Sequence, residues 1–317
     1  MNRRELFVCA FQGKELQLSD AEKLEKRLSK TPLDLTSRLT LLGFYTHVDT
    51  QGGTKSYNKF AHVRWLIENQ SNLPSVLHEF VSLKNFPEFL WLQAAKGWEQ
   101  QVAKNPQDPV VLLNASLFLF DRDFDRGFSM LTQLQNMFPD NLQYLQLTCS
   151  WSFKAMLEFE HDTRHLNFAE RIIQDGNACI RIGGLNVADL WTIYSQLSYA
   201  AYELDDLEQA IYYTEQAPRS STLSPSPLQF KNSRLGLVAL KRNDTKTAKG
   251  YLLNSVCPQF FPYRLAVALS SVGEHEAVKE CIAEYLKCET ARLDIEVALN
   301  AIKGGLVPLV NGCPFVL

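Results

Sequence analysis

Small side chains recur in pairs along the chain, and each lies among large apolar residues that repeat every three or four positions. The two members of a pair are twelve residues apart in four places, namely Ala115 with Gly127, Ser198 with Ala210, Gly236 with Ala248, and Ala266 with the larger Val278. Apolar residues at such intervals lie on one face of an α-helix. The pattern therefore predicts a series of helices that pack in pairs.

A short polar turn separates the two members of each pair. The four turns read DRDFD, LDDLE, RNDTK and VGEHE. Asp and Asn are favoured in turns and at helix N-termini because their side chains bond nearby backbone N–H groups, and glycine adopts turn conformations freely. Each unit is therefore expected to be an antiparallel helical hairpin, in which the small residues allow the two backbones to approach closely.

The pattern is looser outside these four pairs. Gly43 and Ala61 are eighteen residues apart, which predicts a hairpin with an inserted loop. Ala155 and Ala169 are fourteen residues apart, and they predict a further hairpin around FEHDTRHLN. Residues 75–105 have the helical period without a matched pair of small residues. The helical region is therefore expected to extend well upstream of the four pairs.

The ends of the chain suggest where the repeats begin and stop. Ser19 and Glu22 have the spacing of a capping box, so a helix is expected to begin at Ser19. The segment LVPLVNGCPFVL is apolar and is interrupted by proline. The expected organisation is a lead segment over residues 1–18, one helical-repeat domain over 19–305 with insertions near 46–58 and 158–166, a last helix over 289–303, and an apolar tail over 306–317.

These features resemble the tetratricopeptide repeat, whose pattern is W-x2-L-G-x2-Y, then A-x3-F, then P. The best matches are NSRLGLVA with Ala248 and Leu252, and YSQLSYAA with Ala210. Prolines lie near the expected end of a second helix at Pro139, Pro218 and Pro258. The resemblance covers roughly residues 108–288. It implies an all-α fold, a right-handed superhelical solenoid of antiparallel helical hairpins.

The resemblance also implies a concave groove, lined by the first helices, that binds a partner peptide or protein segment. Aromatic and hydroxyl side chains suit such recognition. The alternative is that some of these side chains pack against neighbouring repeats or against the tail. The groove residues implied by repeat position are Thr192, Ser195, Tyr199, Tyr202, Phe230, Ser233, Arg234, Leu237, Tyr263, Arg264 and Val267.

Two of these residues invite comparison with the carboxylate clamp of chaperone-binding members of the family. Arg234 and Arg264 recur at one repeat position and could hold an acidic group. The clamp would have lysine four residues earlier, where this chain has Phe230 and Phe260. The resemblance therefore does not extend to recognition of chaperone tails.

One cluster of residues supports a different class of function. In LEFEHDTRH, Glu158, His161 and His165 would share a helix face and could bind a transition metal such as zinc. The alternative is a solvated turn between two helices. A metal-dependent enzyme or enzyme subunit that uses this cluster is the second function hypothesis. The sequence lacks HExxH, the phosphate-binding Gly-x4-Gly-Lys-Ser/Thr and G-x-S-x-G, so we expect no enzyme activity and no cofactor.

Composition narrows the classes of partner. The net charge of −3 argues against a general nucleic-acid binder. The seven cysteines contain no CxxC pair, which favours reduced, buried thiols in a cytoplasmic protein. The apolar run near the N-terminus is too short for a secretory signal, and no segment reaches the about 18 apolar residues that cross a membrane. A protein or peptide partner is expected, with self-association through the tail as a third hypothesis.

Overall fold

The computed structural model describes residues 3–48, 54–74, 78–83, 85–159, 162–218, 227–255, 268–269 and 271–274. Every regular element within these ranges is a helix, which confirms the predicted all-α class. The chain forms two compact units, of which the first ends at Pro139 and the second begins at Asp140.

The first unit contains eight helices in its described part, together with a 3-10 turn at Gly13–Glu15. Helix α3 packs against its neighbours α1, α2 and α4, α6 packs against α4 and α7, and α7 pairs with α8. One apolar core runs through α1, α3, α4, α6 and α7, and a smaller one joins α2 to α3. The helices are α1 (Arg3–Gln12), α2 (Leu18–Lys30), α3 (Leu35–Val48), α4 (Thr54–Asn69), α5 (His78–Val81), α6 (Glu88–Lys104), α7 (Pro109–Leu119) and α8 (Phe124–Met137).

Helices α1 and α3 approach each other closely at two glycines. A Cβ atom on Gly43 would lie 1.7 Å from the carbonyl oxygen of Ala10, and one on Gly13 would lie 2.0 Å from that of Thr40. Helices α3 and α4 pack together as the predicted hairpin, but Gly43 and Ala61 do not meet in it, since Gly43 faces the end of α1 and Ala61 is exposed. The cause is tertiary: the N-terminal helix covers the face of α3 on which Gly43 lies.

The predicted capping box is also wrong. Helix α2 begins at Leu18, and its N-cap residue is Gln17, whose side chain makes no capping hydrogen bond. Ser19 therefore lies inside the first turn of the helix. The helix begins earlier because the backbone of Leu16 and Gln17 is extended, with ψ of 142° and 155°, and brings the chain out of the preceding 3-10 turn.

The second unit is a series of helical hairpins. Helices α9 and α10, α11 and α12, and α13 and α14 pack as successive pairs, and α11 also contacts both α9 and α13. The first helices of the three hairpins therefore lie side by side in a row, as the repeat pattern predicts. The helices are α9 (Leu142–Glu158), α10 (Arg164–Ile182), α11 (Val187–Glu203), α12 (Leu207–Gln216), α13 (Pro227–Lys241) and α14 (Thr245–Leu253).

The turns of the α11–α12 and α13–α14 hairpins and the turn VGEH share one backbone geometry. Asp205 and Asn243 have positive φ angles of 63° and 59°, and Gly273 has the same conformation, with φ of 82°, in the turn VGEH. Asp, Asn and Gly are the residues that tolerate this left-handed region best. In each turn the backbone N–H of the next residue donates a hydrogen bond of 2.9 Å to a carbonyl oxygen five residues earlier. The donor and acceptor residues are Asp206 and Ala201, Asp244 and Ala239, and Glu274 and Leu269.

Asp and Asn also begin most of the capped helices. The side chain of Asp206 accepts a hydrogen bond of 3.0 Å from the backbone N–H of Gln209, and that of Asp244 accepts one of 3.1 Å from Thr247. Such caps satisfy backbone N–H groups that a helix N-terminus leaves unbonded. The same arrangement is found at Asp108, Asp123, Asn141 and Asn186.

The small residues of the hairpins lie in the seam between paired helices. The Ser198 hydroxyl donates a hydrogen bond of 3.1 Å to the carbonyl oxygen of Ala210, and a Cβ atom on Gly236 would lie 2.6 Å from Cδ2 of Leu252. In the first unit the predicted pair was Ala115 of α7 with Gly127 of α8, but the hydrogen bond between these helices comes from the next residue of α7. Ser116, rather than Ala115, donates to the carbonyl oxygen of Gly127, at 2.8 Å.

Candidate partner-binding site

The four implied groove residues of α11 lie at helical intervals, but they differ in burial. Thr192, Ser195 and Tyr202 are half-buried, whereas Tyr199 is only 1% exposed. The hydroxyl of Thr192 donates to the carbonyl oxygen of Ala188 at 3.0 Å, and that of Ser195 donates to Thr192 at 2.8 Å. These two hydroxyls are therefore bonded to their own helix, and each keeps lone pairs that can accept a further hydrogen bond.

Tyr199 lies in the seam where α9, α11 and α13 meet. Its ring meets that of Phe153 from α9 edge-on, at 5.4 Å between centroids. The guanidinium carbon of Arg234 from α13 lies 4.4 Å from the centre of the same ring. Tyr199 therefore joins the three first helices, which corresponds to the alternative that some groove residues pack between repeats.

Phe230 occupies an equivalent seam position on α13. It is buried, and its ring meets that of Trp191 from α11 edge-on, at 5.7 Å between centroids. The guanidinium carbon of Arg234 also lies 5.7 Å from the centre of the Phe230 ring. Ser233 and Leu237 are half-buried on the same helix. Two aromatic rings and one cation therefore form a buried cluster between α11 and α13.

Arg234 is the most unusual residue of this cluster. It is 3% exposed, and its Nε and Nη1 atoms have no hydrogen-bond partner within the part of the chain that the structure describes. Burial lowers the pKa of Arg234 to about 10, although the nearby Glu203 and Tyr202 act to raise it. An arginine is a strong donor of several hydrogen bonds, so these two buried nitrogen atoms are an unusual feature of the packing between α11 and α13.

Tyr202 lies beside this cluster, at the C-terminal end of α11. The Nζ atom of Lys241 is 4.1 Å from the centre of the Tyr202 ring. The same Nζ atom donates a hydrogen bond of 2.6 Å to the backbone carbonyl oxygen of Tyr202. Burial raises the pKa of the Tyr202 hydroxyl, and the charge of Glu203 acts in the same direction while Arg234 opposes it. The face next to Arg234 therefore combines a phenol, a lysine and several hydroxyl groups.

The charge pattern of this region is a signal that motif analysis of the sequence missed. Between Gln216 and Glu274 the sequence contains eight Lys and Arg residues, but its only acidic residue is Asp244. Asp244 caps α14 through Thr247. An arginine that the fold buries in this segment therefore has no carboxylate close to it in the sequence, although the whole chain carries a net negative charge.

The remaining implied groove residues cannot be placed. Tyr263, Arg264 and Val267 lie outside the described residues, as do Ala266, Val278 and Pro258. The proposed last helix over residues 289–303 and the apolar tail over 306–317 lie outside them as well. The site that the structure describes is therefore the part formed by α11 and α13.

The residues of the metal hypothesis lie in two different helices. Glu158 is the exposed last residue of α9, whereas His165 lies in the first turn of α10, with its Nδ1 atom 3.0 Å from the carbonyl oxygen of Asp162. The assumption of one continuous helix face is therefore wrong, because α9 and α10 form a hairpin at this point. His161 lies outside the described residues, and the residues that are described contain no group of three His, Cys, Asp or Glu that could hold a metal ion.

A buried polar network in the first unit has no counterpart among the sequence-predicted sites. His62 is 4% exposed, and its Nε2 atom lies 3.0 Å from Oε1 of Glu25, to which the Tyr45 hydroxyl donates at 2.8 Å. Burial acts to raise the pKa of Glu25, but the hydrogen bonds from His62 and Tyr45, helped by the charge of Arg38, hold it below its usual value. Burial, followed by the bond to Glu25, raises the pKa of Tyr45. The network links α2, α3 and α4.

The cysteines that can be placed are free thiols. Cys149 and Cys179 are buried in the core of the second unit, and Cys9 is half-buried. Burial raises the pKa of Cys149, and burial together with the charge of Asp175 raises that of Cys179 to about 12. A thiol with a raised pKa is a poor nucleophile. The buried pair is therefore best understood as part of the core.

Comparison with known proteins found no family model that matches this chain and no match among the curated proteins. Within the described ranges, no helix combines the length and the apolar character that a membrane span requires. The evidence for function therefore comes from the residues of α11 and α13 themselves.

Proposed function

We propose that this chain is a non-catalytic protein-interaction module, an adaptor or scaffold that binds a partner peptide or protein segment on the face formed by α11 and α13. In this proposal the hairpins form a right-handed solenoid of the tetratricopeptide type, and the face is its concave groove. The observation that carries the proposal is that the first helices α11 and α13 lie side by side and that Ser195, Tyr202, Ser233 and Leu237 on them are only half-buried.

The regularity of the second unit supports a repeat architecture. The turns at Asp205, Asn243 and Gly273 share one backbone conformation, and the first helices of the hairpins lie side by side. Stacked hairpins build a continuous surface because each repeat contacts its neighbours through the same elements. Such a surface commonly binds an extended or helical segment of another protein.

The chemistry of the face suits a peptide. Tyr202 presents a half-buried aromatic ring, and Ser195, Ser233 and Leu237 are half-buried on the same two helices. Aromatic rings contribute large contact area with few rotatable bonds, and hydroxyl groups can bond to the backbone of a bound segment. We place this activity in the cytoplasm, because the thiols of Cys149 and Cys179 are free.

The test is selection of a phage-displayed random dodecapeptide library on the full-length protein, followed by affinity measurements with the selected peptides. Tyr202→Ala removes a ring from the proposed face. Tyr212→Ala removes one from α12, the second helix of the same hairpin, where the side chain is 53% exposed. We expect Tyr202→Ala to weaken binding about tenfold or more and Tyr212→Ala to leave it within about twofold. Equal effects of the two substitutions, or failure to select any peptide, would contradict the proposal.

A further inference from the structure

We propose that opposite charges hold the hairpin α13–α14 on the hairpin α11–α12, and that this contact opens more often as the ionic strength rises. The contact is a property of the protein without a partner, so it lies beyond the proposed function. One consequence does rest on that function: a segment bound across α11 and α13 should hold the two hairpins together.

The two hairpins carry opposite charges. Residues 187–216, which span α11 and α12, contain six acidic residues and no lysine or arginine. Residues 227–253, which span α13 and α14, contain six basic residues, and their one acidic residue, Asp244, caps α14. The hairpins are in contact, because α13 packs against both α11 and α12. The fold therefore places an acidic hairpin directly beside a basic one, and such charges attract each other most strongly at low ionic strength.

Three ion pairs cross from α13 to the neighbouring hairpin. Each joins a base of α13, or of the residue after it, to an acid of α12 or of the turn before it. The pairs are Lys231 with Glu215 at 3.4 Å, Lys241 with Asp205 at 3.2 Å, and Arg242 with Glu208 at 2.5 Å. All three are partly exposed to solvent, where a single pair contributes little and is weakened by salt. Together they hold α13 from its second turn to its C-terminal end, so their combined loss at high salt should be measurable.

The hairpin α9–α10 provides an internal comparison. Residues 142–182 contain five acidic and four basic residues, so this hairpin is almost neutral. Arg164 pairs with Asp162 and Arg171 pairs with Asp175, both within the hairpin itself. One apolar core joins α9, α10, α11 and α12. The packing of α9–α10 on α11 should therefore depend little on salt.

Apolar contacts also join the two charged hairpins, and they act in the opposite direction in salt. The ring of Phe230 from α13 meets that of Trp191 from α11 edge-on, at 5.7 Å between centroids, and Val238 of α13 is buried in the core. Salts screen charges but do not weaken apolar burial, which sulfate and phosphate strengthen. Opening that increases with salt therefore reports the charges, whereas a contact held by apolar packing alone would stay the same or tighten.

Hydrogen exchange of the backbone amides, followed by mass spectrometry on the full-length protein, measures the opening of each hairpin. The comparison is between about 0.01 M and about 1 M NaCl, over which the screening length falls from about 30 Å to about 3 Å. We expect exchange in α13 and α14 to become about tenfold faster at the higher salt, while that in α9 and α10 stays within about twofold. An equal change in both hairpins, or no change in α13 and α14, would overturn the proposal.

A charge exchange at one ion pair tests the cause. Arg242→Glu and Glu208→Arg each place like charges opposite one another, so each should speed exchange in α13 and α14 about threefold to tenfold at low salt. Both side chains are substantially exposed, so neither change disturbs the core. The double variant restores opposite charges and should exchange more slowly than either single variant. A double variant that exchanges as fast as the single ones would overturn the role of the ion pair.

Glu170→Lys is the matched control. It reverses one charge of the same unit at an exposed position of α10, in the almost neutral hairpin. Exchange in α13 and α14 should therefore stay within about twofold of the unaltered protein. The comparison of low and high salt on the unaltered protein does not depend on any variant folding.

A selected peptide connects this contact with the proposed function. A segment bound across α11 and α13 binds only the closed hairpins, so it should slow exchange in α13 and α14 and oppose the effect of salt. A peptide that binds without slowing this exchange would overturn binding across the two helices and leave the charge contact standing. Failure to select any peptide would overturn the proposed function, whereas the salt and charge-exchange results would still decide the contact.

Discussion

The guanidinium carbon of Arg234 lies 4.4 Å from the centre of the Tyr199 ring, so a cation from α13 faces an aromatic ring from α11 at a buried position. The same guanidinium leaves two nitrogen atoms without hydrogen-bond partners in the described residues. This relationship bears on stability, because a buried charged group without hydrogen bonds destabilises the folded state. The first prediction follows from it.

Arg234→Met should raise the free energy of unfolding of the protein without a partner by about 1 kcal/mol. Removal of a buried charge in favour of an apolar side chain of similar size commonly stabilises by about 1–4 kcal/mol, and the loss of the cation–π contacts offsets about 1–2 kcal/mol of this. Urea denaturation measures the change. Arg242→Met, at a half-exposed ion pair, is the control and should change stability by less than about 1 kcal/mol. A clear loss of stability in Arg234→Met would mean that the folded chain itself supplies a counter-ion.

Arg171→Met should lower the free energy of unfolding, the opposite of the change expected for Arg234→Met. Arg171 donates a hydrogen bond of 2.7 Å to Asp175, which is only 1% exposed. Without Arg171 the buried carboxylate loses its cation, and breaking a buried pair in this way typically costs about 3–5 kcal/mol. Because Arg171 itself is partly exposed, we expect a loss of about 2–4 kcal/mol in urea denaturation. The double variant with Asp175→Asn should recover part of the loss, and no recovery would show that the charge of Asp175 is not the cause.

Gly236→Ala should destabilise the second unit, whereas Gly250→Ala should not. A Cβ atom at Gly236 would lie 2.6 Å from Cδ2 of Leu252 and 3.3 Å from its backbone nitrogen, but no atom lies within 4 Å of a Cβ at Gly250. Overpacking of a seam costs about 1–3 kcal/mol, and alanine in an open helix position stabilises by about 0.5–1 kcal/mol relative to glycine. Thermal unfolding of the two variants should therefore shift in opposite directions. Equal shifts would contradict close packing of α13 against α14.

Gly43→Ala should be among the most damaging single changes in the first unit. The added Cβ atom would lie 1.7 Å from the carbonyl oxygen of Ala10, and a backbone atom cannot rotate away as a side chain can. Helices α1 and α3 would have to separate, so we expect a loss of about 3 kcal/mol or more. Gly97→Ala is the matched control, because its Cβ meets only a methyl group of Ile67, at 3.1 Å. Circular dichroism during urea titration distinguishes the two variants.

The network around Glu25 should make the stability of the first unit depend on pH. Its carboxyl pKa is held below the value of 4.5 by hydrogen bonds from His62 and Tyr45, against the effect of burial. A group with a lowered pKa stabilises the folded state above its unfolded pKa, and this contribution is lost as the pH falls through the lower folded value. We expect Glu25→Gln to reduce the loss of stability below about pH 4.5. Glu22→Gln, at an exposed position on the same helix, should leave the pH profile unchanged. The same profile in both variants would contradict a contribution from Glu25.

Much of the second unit could be predicted because the relevant information is local. The turns before α12 and α14 use Asp206 and Asp244 as caps, and the residues before them, Asp205 and Asn243, adopt the left-handed conformation that their side chains tolerate. These choices depend on a few neighbouring residues. The small residue Ser198 could also be assigned to a seam with Ala210, since a hairpin brings together positions that are close in sequence.

Predictions that required distant contacts were less successful. Gly43 was assigned to a hairpin with Ala61, but its close neighbour is Ala10, which lies on a helix that covers α3 from the other side. The contact between the buried His62 of α4 and Glu25 of α2 likewise joins residues that are far apart in the sequence. No local pattern indicates which helix packs on which face.

The sequence by itself determined the helical class, the hairpin turns and the seam residues of the second unit, because helix periodicity, capping and turn conformations are set by residues within a few positions of one another. Only the tertiary structure decided that Tyr199 and Phe230 are buried between first helices and that Arg234 is enclosed with them without a hydrogen-bonded anion in the described chain. The physical reason is that burial and charge compensation depend on which side chains meet after the helices have packed.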